Sequence, residues 1–293
     1  MGSKELSIII VTYNSSEVLR EALNSIIQYN DCGNNIEVVV VDNASKDVAT
    51  TEVLVYNFPL PIKFIKLPEN KGYGFGNNVG IQHSSSPIIL IMNPDVTLYK
   101  PVFNIICKSF KENPALGILG MQQYENIAGQ KNPSYIISSH SILKLVLHKF
   151  AVYFNYYTSV LFCFSGACFA VRKEAFLEAG GYNEEIFLYG EESDLQYRLK
   201  KKSKKNKIKF AKSLGYIHKM HDRNLSIELH LEGVKSFLII AQNRGISHSK
   251  MINQISRYYK FLYLYNSLRK TEAATFYRRM IIEIEKLKNL HEL

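Results

Sequence analysis

Glu191, Glu192 and Asp194 form the densest acidic cluster in a basic chain, inside Phe187-Leu-Tyr-Gly-Glu-Glu-Ser-Asp194. The stretch opens an expected helix, where backbone N–H groups and the helix dipole favour negative charge, so capping acids are one reading. The other is a general base. Mutual repulsion raises the pKa of at least one such carboxylate when the group is partly buried, and Tyr182, Phe187, Leu188 and Tyr189 are at hand to bury it. Asn93-Pro94-Asp95 closes an apolar run: the proline stops the strand, and Asp95 projects past the sheet edge. A carboxylate there suits a hard divalent cation otherwise held by phosphates and water, or is a turn aspartate. Asp42 ends a run of four valines. It is placed to accept from a ribose hydroxyl or a base N–H, or to cap the next helix.

Asn70 to Gly80 reads NKGYGFGNNVG. A dinucleotide fingerprint requires G-x-G-x-x-G directly after the first strand. Here Gly72, Gly74 and Gly76 alternate, and they follow the third apolar run, so the dehydrogenase reading fails. Two readings remain. The glycines let backbone approach a ligand while Asn70, Asn77 and Asn78 offer amides to a sugar or base, or the stretch is a turn with a capping asparagine.

The elements that must position these groups follow from apolar patterning. Leu6–Val11 and Ile36–Val41 are β-branched runs flanking Glu17–Tyr29, where Val18, Leu19, Ala22, Leu23, Ile26 and Ile27 recur at helical spacing. Ile62–Leu67 and Pro87–Met92 read as further strands, with helices over Asn77–His83 and Lys100–Asn113. Continuous apolar strands belong in a mainly parallel sheet covered on both faces, and ligands bind outside the carboxyl ends of such strands. Those ends carry Thr12-Tyr13-Asn14, Asp42-Asn43-Ala44-Ser45, the glycine stretch and Asn93-Pro94-Asp95. Gln122–Ser141 is polar and turn-rich. Ile142–Phe164 is apolar and aromatic without clean periodicity, and this middle as a whole, Gln122–Phe164, reads as a mobile wall over a pocket or as core filling. Residues 1–232 are expected to form the catalytic domain and 233–293 a helical tail with eleven Lys/Arg against four Asp/Glu.

The 36 Lys and Arg against 26 Asp and Glu give a net charge of +10, which favours an anionic partner. The lysines at 200, 201, 202, 204, 205, 207 and 209 are the basis for the rival reading as a basic nucleic-acid-binding protein. Single-strand surfaces interleave lysine with stacking aromatics, and this run has none before Phe210, so it reads as a solvated helix end with no nucleic acid partner. No apolar run is long enough to cross a bilayer; the longest candidate, Val160–Val171, breaks at Ser165 and Gly166. The start shows no secretory signal and no myristoylation pattern. Four cysteines without a CxxC pair favour reduced thiols and a cytoplasmic location.

Taken together, SIIIVTYN, VVVVDNAS, NKGYGFGNNVG, MNPDV, FSGACFAVRKEAFLEAGGYNEEIFLYGEESDLQYRL and YIHK resemble family 2 glycosyltransferases, in particular the rhamnosyltransferase-like group of bacterial surface-polysaccharide synthesis. The match runs colinearly from Leu6 to about Ser226. It implies an α/β GT-A fold, Rossmann-like with a mainly parallel central sheet and here a C-terminal helical extension. It also implies a nucleotide-sugar donor, Mg²⁺ or Mn²⁺, and inversion at the anomeric carbon. By position, Thr12, Tyr13, Asn14 and Asp42 would hold base and ribose, and Asn70, Gly72, Gly74, Asn77, Asn78 and Asn93 would line the nucleotide-sugar site. Asp95 matches the last acid of the D-x-D metal motif, with Asn93 in place of the first, which leaves the strictness of metal dependence open. Gly166 and Ala167 match the acceptor-side strand, and Glu192 the catalytic base, with Glu191 its rival. The histidine after the last core strand matches His218, with His221 as the alternative, as a metal or diphosphate contact. The resemblance suggests dTDP-rhamnose as donor, with UDP-hexoses (Gal, Glc, GlcNAc) as rivals, and a polyprenyl-diphosphate-linked saccharide acceptor. The basic, tyrosine-rich tail then fits an anionic membrane surface at the inner face of the plasma membrane, helix packing, or a homodimer contact.

Overall fold

The computed structural model describes residues 4–137, 139–203, 206–220 and 225–290. The chain forms two compact units, the first Met1–Tyr135, Phe164–Glu184 and Glu192–Asp222, the second Ile136–Cys163, Glu185–Glu191 and Arg223–Leu293. The elements run β1 (Leu6–Thr12), α1 (Ser16–Gln28), β2 (Ile36–Asp42), α2 (Val48–Tyr56), β3 (Ile62–Lys66), α3 (Tyr73–Gln82), β4 (Ile88–Met92), α4 (Phe103–Glu112) and β5 (Leu116–Tyr124). They continue through β6 (Tyr135–Ile137), α5 (Ile142–Tyr153), β7 (Phe162–Phe164), β8 (Cys168–Arg172), α6 (Lys173–Glu178), α7 (Glu191–Lys202) and β9 (Lys207–Ile217). Three helices follow: α8 (Ile227–Asn243), α9 (His248–Leu268) and α10 (Ala273–Leu290).

The first unit is built on a seven-stranded sheet ordered β3-β2-β1-β4-β8-β5-β9. Strands β1 to β4 pair in parallel, β8 runs antiparallel to both β4 and β5, and β9 returns parallel to β5. Every residue of β1 and of β4 is buried, as continuous apolar runs in a two-sided sheet require. Leu19, Ala22, Leu23 and Ile26 form the buried stripe of α1, and Phe103, Ile106, Cys107 and Phe110 that of α4. Val18 and Ile27 of the expected stripe face solvent instead, because they fall outside the arc that meets the sheet.

The glycine stretch is helical: α3 starts at Tyr73, ahead of the expected Asn77. A Cβ on Gly76 would stand 2.8 Å from Val11 Cγ1 and one on Gly80 2.5 Å from Ile9 Cγ2, so these glycines let α3 lie directly on β1. Strand β5 runs on through Gln122 and Gln123, polar residues buried in the sheet. Gln122 Nε2 donates to Ser134 Oγ at 2.9 Å and the Tyr216 hydroxyl to Gln123 Oε1 at 3.2 Å. The acidic helix α7 opens at Glu191 rather than Phe187, since Tyr189 (φ 67°) and Gly190 (φ 97°) adopt left-handed backbone just before it.

In the second unit, the helical tail starts ahead of Gly233. Ser226 Oγ caps α8 by accepting from Leu229 N at 3.2 Å. Val234, Ala241, Met251, Ile252, Ile255, Tyr259, Met280 and Ile284 form the shared core of α8, α9 and α10. The segment expected to be aperiodic folds into α5 and β7, with β7 pairing to β6. Before α5, the His140 ring packs 4.7 Å from Phe237, 5.2 Å from Tyr258 and 6.1 Å from Tyr259, centroid to centroid.

That packing has a titration consequence. Burial pushes the His140 imidazole down to about 4 from 6.5, so the ring is neutral in the fold. As pH falls, the unfolded chain takes up this proton first. The stability that neutral His140 contributes is therefore full above pH 6.5 and is lost between 6.5 and 4. Urea unfolding at pH 7 and pH 4.5 is expected to show wild type losing about 2–3 kcal/mol more than His140→Phe across that interval. Equal losses would show that the histidine does not titrate this way.

Candidate active site

Register puts the groups expected on the donor side together. Thr12 pairs with Asp42 across β1 and β2, and Asp42 with Lys66 across β2 and β3, so all three stand at one edge of the sheet. The loops leaving β1 and β2 are tied to each other. Asn14, at φ 50°, donates its backbone N–H to Ser45 Oγ at 2.9 Å, and its Oδ1 accepts from Lys46 N at 2.7 Å. The Thr12 and Ser15 hydroxyls lie 2.7 Å apart, and Tyr13 is exposed beside them. Asp42 is wholly buried. Its Oδ1 accepts from Ser45 N at 2.8 Å, while its Oδ2 has no hydrogen-bond partner among the described residues. The same holds for Oδ1 of Asn43, Asn77 and Asn93. Buried acceptors left unpaired are costly by about 1–3 kcal/mol each, and hydroxyl or N–H donors of a bound ligand would satisfy them.

The asparagines of the glycine stretch divide by what they touch. Asn70 Oδ1 accepts from Asn43 Nδ2 at 2.8 Å and from Gly72 N at 3.0 Å, and Asn43 Nδ2 also reaches Gly72 O at 3.1 Å. Gly72 sits at φ 94°, which only glycine adopts without strain. Asn43 and Asn70 thus fix the entry into α3. Asn78 is engaged by the segment before α7: its amide donates to Tyr182 O at 3.0 Å and Glu184 Oε1 at 2.9 Å, and its Oδ1 accepts from Tyr182 N at 2.9 Å. A Cβ on Gly74 would lie 3.0 Å from Tyr182 Cβ, so that glycine too serves packing.

Asp95 and His218 come from segments far apart in sequence. Thr97 and Ile217 form a two-bond antiparallel bridge, with N···O distances of 3.0 and 2.8 Å, which joins the loop after β4 to the end of β9. As a result the Asp95 carboxylate, over a third exposed, stands with Oδ2 3.3 Å from Nε2 of buried His218. The backbone of His218 is held by Tyr124 O and by Asn132 Nδ2. His221 lies outside the described residues. Among the described residues no group of three His, Cys, Asp or Glu side chains gathers as a cation site. One carboxylate and one imidazole fit a Mg²⁺ or Mn²⁺ ion whose remaining positions go to phosphate oxygens and water.

Glu192 opens α7 on its buried side, against the turn into β8. A Cβ on Gly166 would lie 3.5 Å from Glu192 Cδ, so the carboxyl rests over the Gly166 backbone. Gly166 and Ala167 form this turn rather than part of a strand, because β8 begins at Cys168. The Tyr73 hydroxyl donates to Gly166 O at 3.1 Å, and Gln196 Oε1 accepts from Phe164 N at 3.2 Å, which anchors α7 to the end of β7. Glu191 is equally buried but belongs to the second unit. Asp194 is engaged by Arg198 at 2.7 Å, an i,i+4 ion pair along α7. Asn43, Tyr73, Thr97 and Gln196 were not singled out in the sequence; only Asn43 carried a local signal, as the residue after Asp42 at a strand end.

The mainly parallel α/β sheet with polar groups gathered at its strand ends is a GT-A-type fold, as its likeness to solved glycosyltransferase structures shows. The Pyrobaculum calidifontis mannosyltransferase PcManGT, in complex with GDP-Man and Mn²⁺, superposes with a TM-score of 0.64 at 14% identity over 99% of this chain and 88% of that one. Staphylococcus aureus TarS 1-349, in complex with UDP-GlcNAc, superposes with a TM-score of 0.60 at 18% identity over 96% and 79%. The glycosyl transferase family 2 model matches residues 7–180, and the chain belongs to that family. Among curated relatives, the low-salt glycan biosynthesis hexosyltransferase Agl10 of Haloferax volcanii is 26% identical over 207 residues, 68% of this chain and 62% of Agl10. The chain spans less than two thirds of the length of the curated relatives it matches first.

Proposed function

We propose that the protein moves a sugar from a nucleoside-diphospho-sugar to a hydroxyl of a saccharide acceptor, with inversion, in surface-glycan synthesis. The observation that carries this reading is the Asp95–His218 pair, 3.3 Å apart and mounted at the strand ends of a family 2 fold. Thr12, Asp42 and Asn43 offer buried acceptors to the donor's base and ribose. Asp95 and His218 face the diphosphate, where a bound Mg²⁺ or Mn²⁺ would neutralise charge that builds on the leaving group. Glu192 takes the proton of the acceptor hydroxyl, and the freed oxygen attacks the anomeric carbon from the face opposite the diphosphate. Tyr73, through Gly166, keeps the backbone under Glu192 in place.

For the donor, dTDP-rhamnose is the first choice and UDP-hexoses are the second, the latter favoured by the UDP-GlcNAc held by TarS. The acceptor is a lipid-linked saccharide, presented at the inner face of the plasma membrane. A thermal-shift panel of dTDP-rhamnose, UDP-Glc, UDP-Gal, UDP-GlcNAc and GDP-Man, with and without Mn²⁺, is the direct test. One nucleotide sugar is expected to raise Tm by several degrees, about 2–4 °C per kcal/mol of binding linkage for a chain of this size, and more so with Mn²⁺. Indifference to every donor under both conditions would sink the reading.

A further inference from the structure

Two tyrosines of the tail point inward: Tyr259 sits in the core of the second unit with Tyr258 packed against it, and burial pushes both hydroxyls above the ordinary tyrosine range. The apolar surface of that unit lies elsewhere, on α5. Leu143, Val146, Leu147, Phe150, Tyr153 and Phe154 recur at three- and four-residue spacing along this helix, and all six are exposed. Four of them, Leu143, Phe150, Tyr153 and Phe154, are more than half exposed. Ala151 is the buried residue of the helix, and Lys144, His148 and Lys149 are its polar residues. A helix that presents a continuous apolar stripe to solvent, flanked by Lys144 and Lys149, has a partner for that stripe outside the fold.

Charge selects the partner. No Asp or Glu occurs between Glu125 and Glu174, whereas Lys144 and Lys149 lie on α5 itself. A second copy meeting this stripe helix to helix would set Lys144 and Lys149 against their own counterparts, and α5 itself carries no acid. An anionic surface complements it. The helix has twelve residues and is about 18 Å long, too short to span a bilayer and suited to lying in the interface plane. Its C-terminal end carries Tyr153 and Phe154, and Tyr156 follows. Tyr rings settle at the headgroup level, and Phe belongs to the apolar face that enters the acyl boundary.

We propose that α5 is an interfacial membrane anchor that lays its Leu143–Phe154 stripe into the headgroup region of an anionic bilayer. This deepens the lipid-linked acceptor reading, yet it is measured without donor or acceptor, so either can fail alone. In flotation of the full chain, wild type is expected to rise with vesicles of phosphatidylglycerol and phosphatidylcholine, and to rise far less with pure phosphatidylcholine or at high salt. The exposed double variant Leu147→Ser/Phe150→Ser is expected to keep the wild-type Tm and lose about tenfold or more in partitioning. Arg278→Glu/Arg279→Glu in the tail is expected to leave partitioning within about twofold. No flotation of wild type, equal flotation on neutral vesicles, or loss only in the tail variant would each overturn the proposal. So would sedimentation showing that the α5 variant abolishes a dimer while vesicle binding is unchanged.

Discussion

Glu192→Gln is expected to lower kcat by about 10²–10⁴-fold while donor KM stays within about threefold. The substitution keeps size and shape, so the packing of the side chain over Gly166 persists and Tm should match wild type. What is lost is the capacity to take a proton from the acceptor hydroxyl, an interaction made only as the transition state forms. Glu191→Gln is the necessary companion. Both glutamates are buried at the start of α7, but successive helical residues diverge by about 100° and cannot share one target. Glu192 lies against the turn that joins β7 to β8 in the unit that carries Asp42, Asp95 and His218. Glu191 should therefore affect turnover modestly. Near-wild-type turnover in Glu192→Gln with loss in Glu191→Gln would reverse the assignment.

Asp95→Asn should cost about two to three orders of magnitude in kcat at fixed Mn²⁺. The amide keeps the turn but removes the charge that, with His218, would complete a cation's shell alongside the diphosphate. The diagnostic is a shift in metal requirement: the variant should need a higher Mn²⁺ concentration for half-maximal rate, and nucleoside diphosphate should lose its Mn²⁺-dependent protection against thermal unfolding. His218→Gln should move both measurements in the same direction but less, because the imidazole supplies no fixed charge. A fully active Asp95→Asn enzyme, indifferent to chelator, would remove the metal from the mechanism. Asn93 in the first position of the motif is neutral, so the whole anionic contribution of this loop rests on Asp95.

The first half of the first unit was legible because β1, β2 and β4 are unbroken runs rich in Ile and Val and α1 and α4 repeat at helical spacing, patterns that point to a covered, mainly parallel sheet, whereas α2, β5, β8 and β9 were not read from the patterning. Such a sheet alone determines that Thr12, Asp42 and Asn93-Pro94-Asp95 emerge at the same edge, since parallel strands align their carboxyl ends. Chemistry-bearing residue types and their order along the chain were likewise sequence properties. Contacts between distant segments were not. The Thr97–Ile217 bridge that brings His218 to Asp95 depends on strand order, in particular on β8 inserting antiparallel between β4 and β5, and no local pattern encodes it. The glycine stretch illustrates the division. Its spacing excluded a dinucleotide cradle, yet only packing shows Gly76 and Gly80 seating α3 on Val11 and Ile9, and Asn70 bonded to Asn43 and the Gly72 backbone. The same applies to burial in the second unit. Tyr259 and Phe150 are indistinguishable as aromatic letters in basic helices, and tertiary packing alone decides that one is core and the other faces outward, because exposure is a property of neighbours and not of sequence.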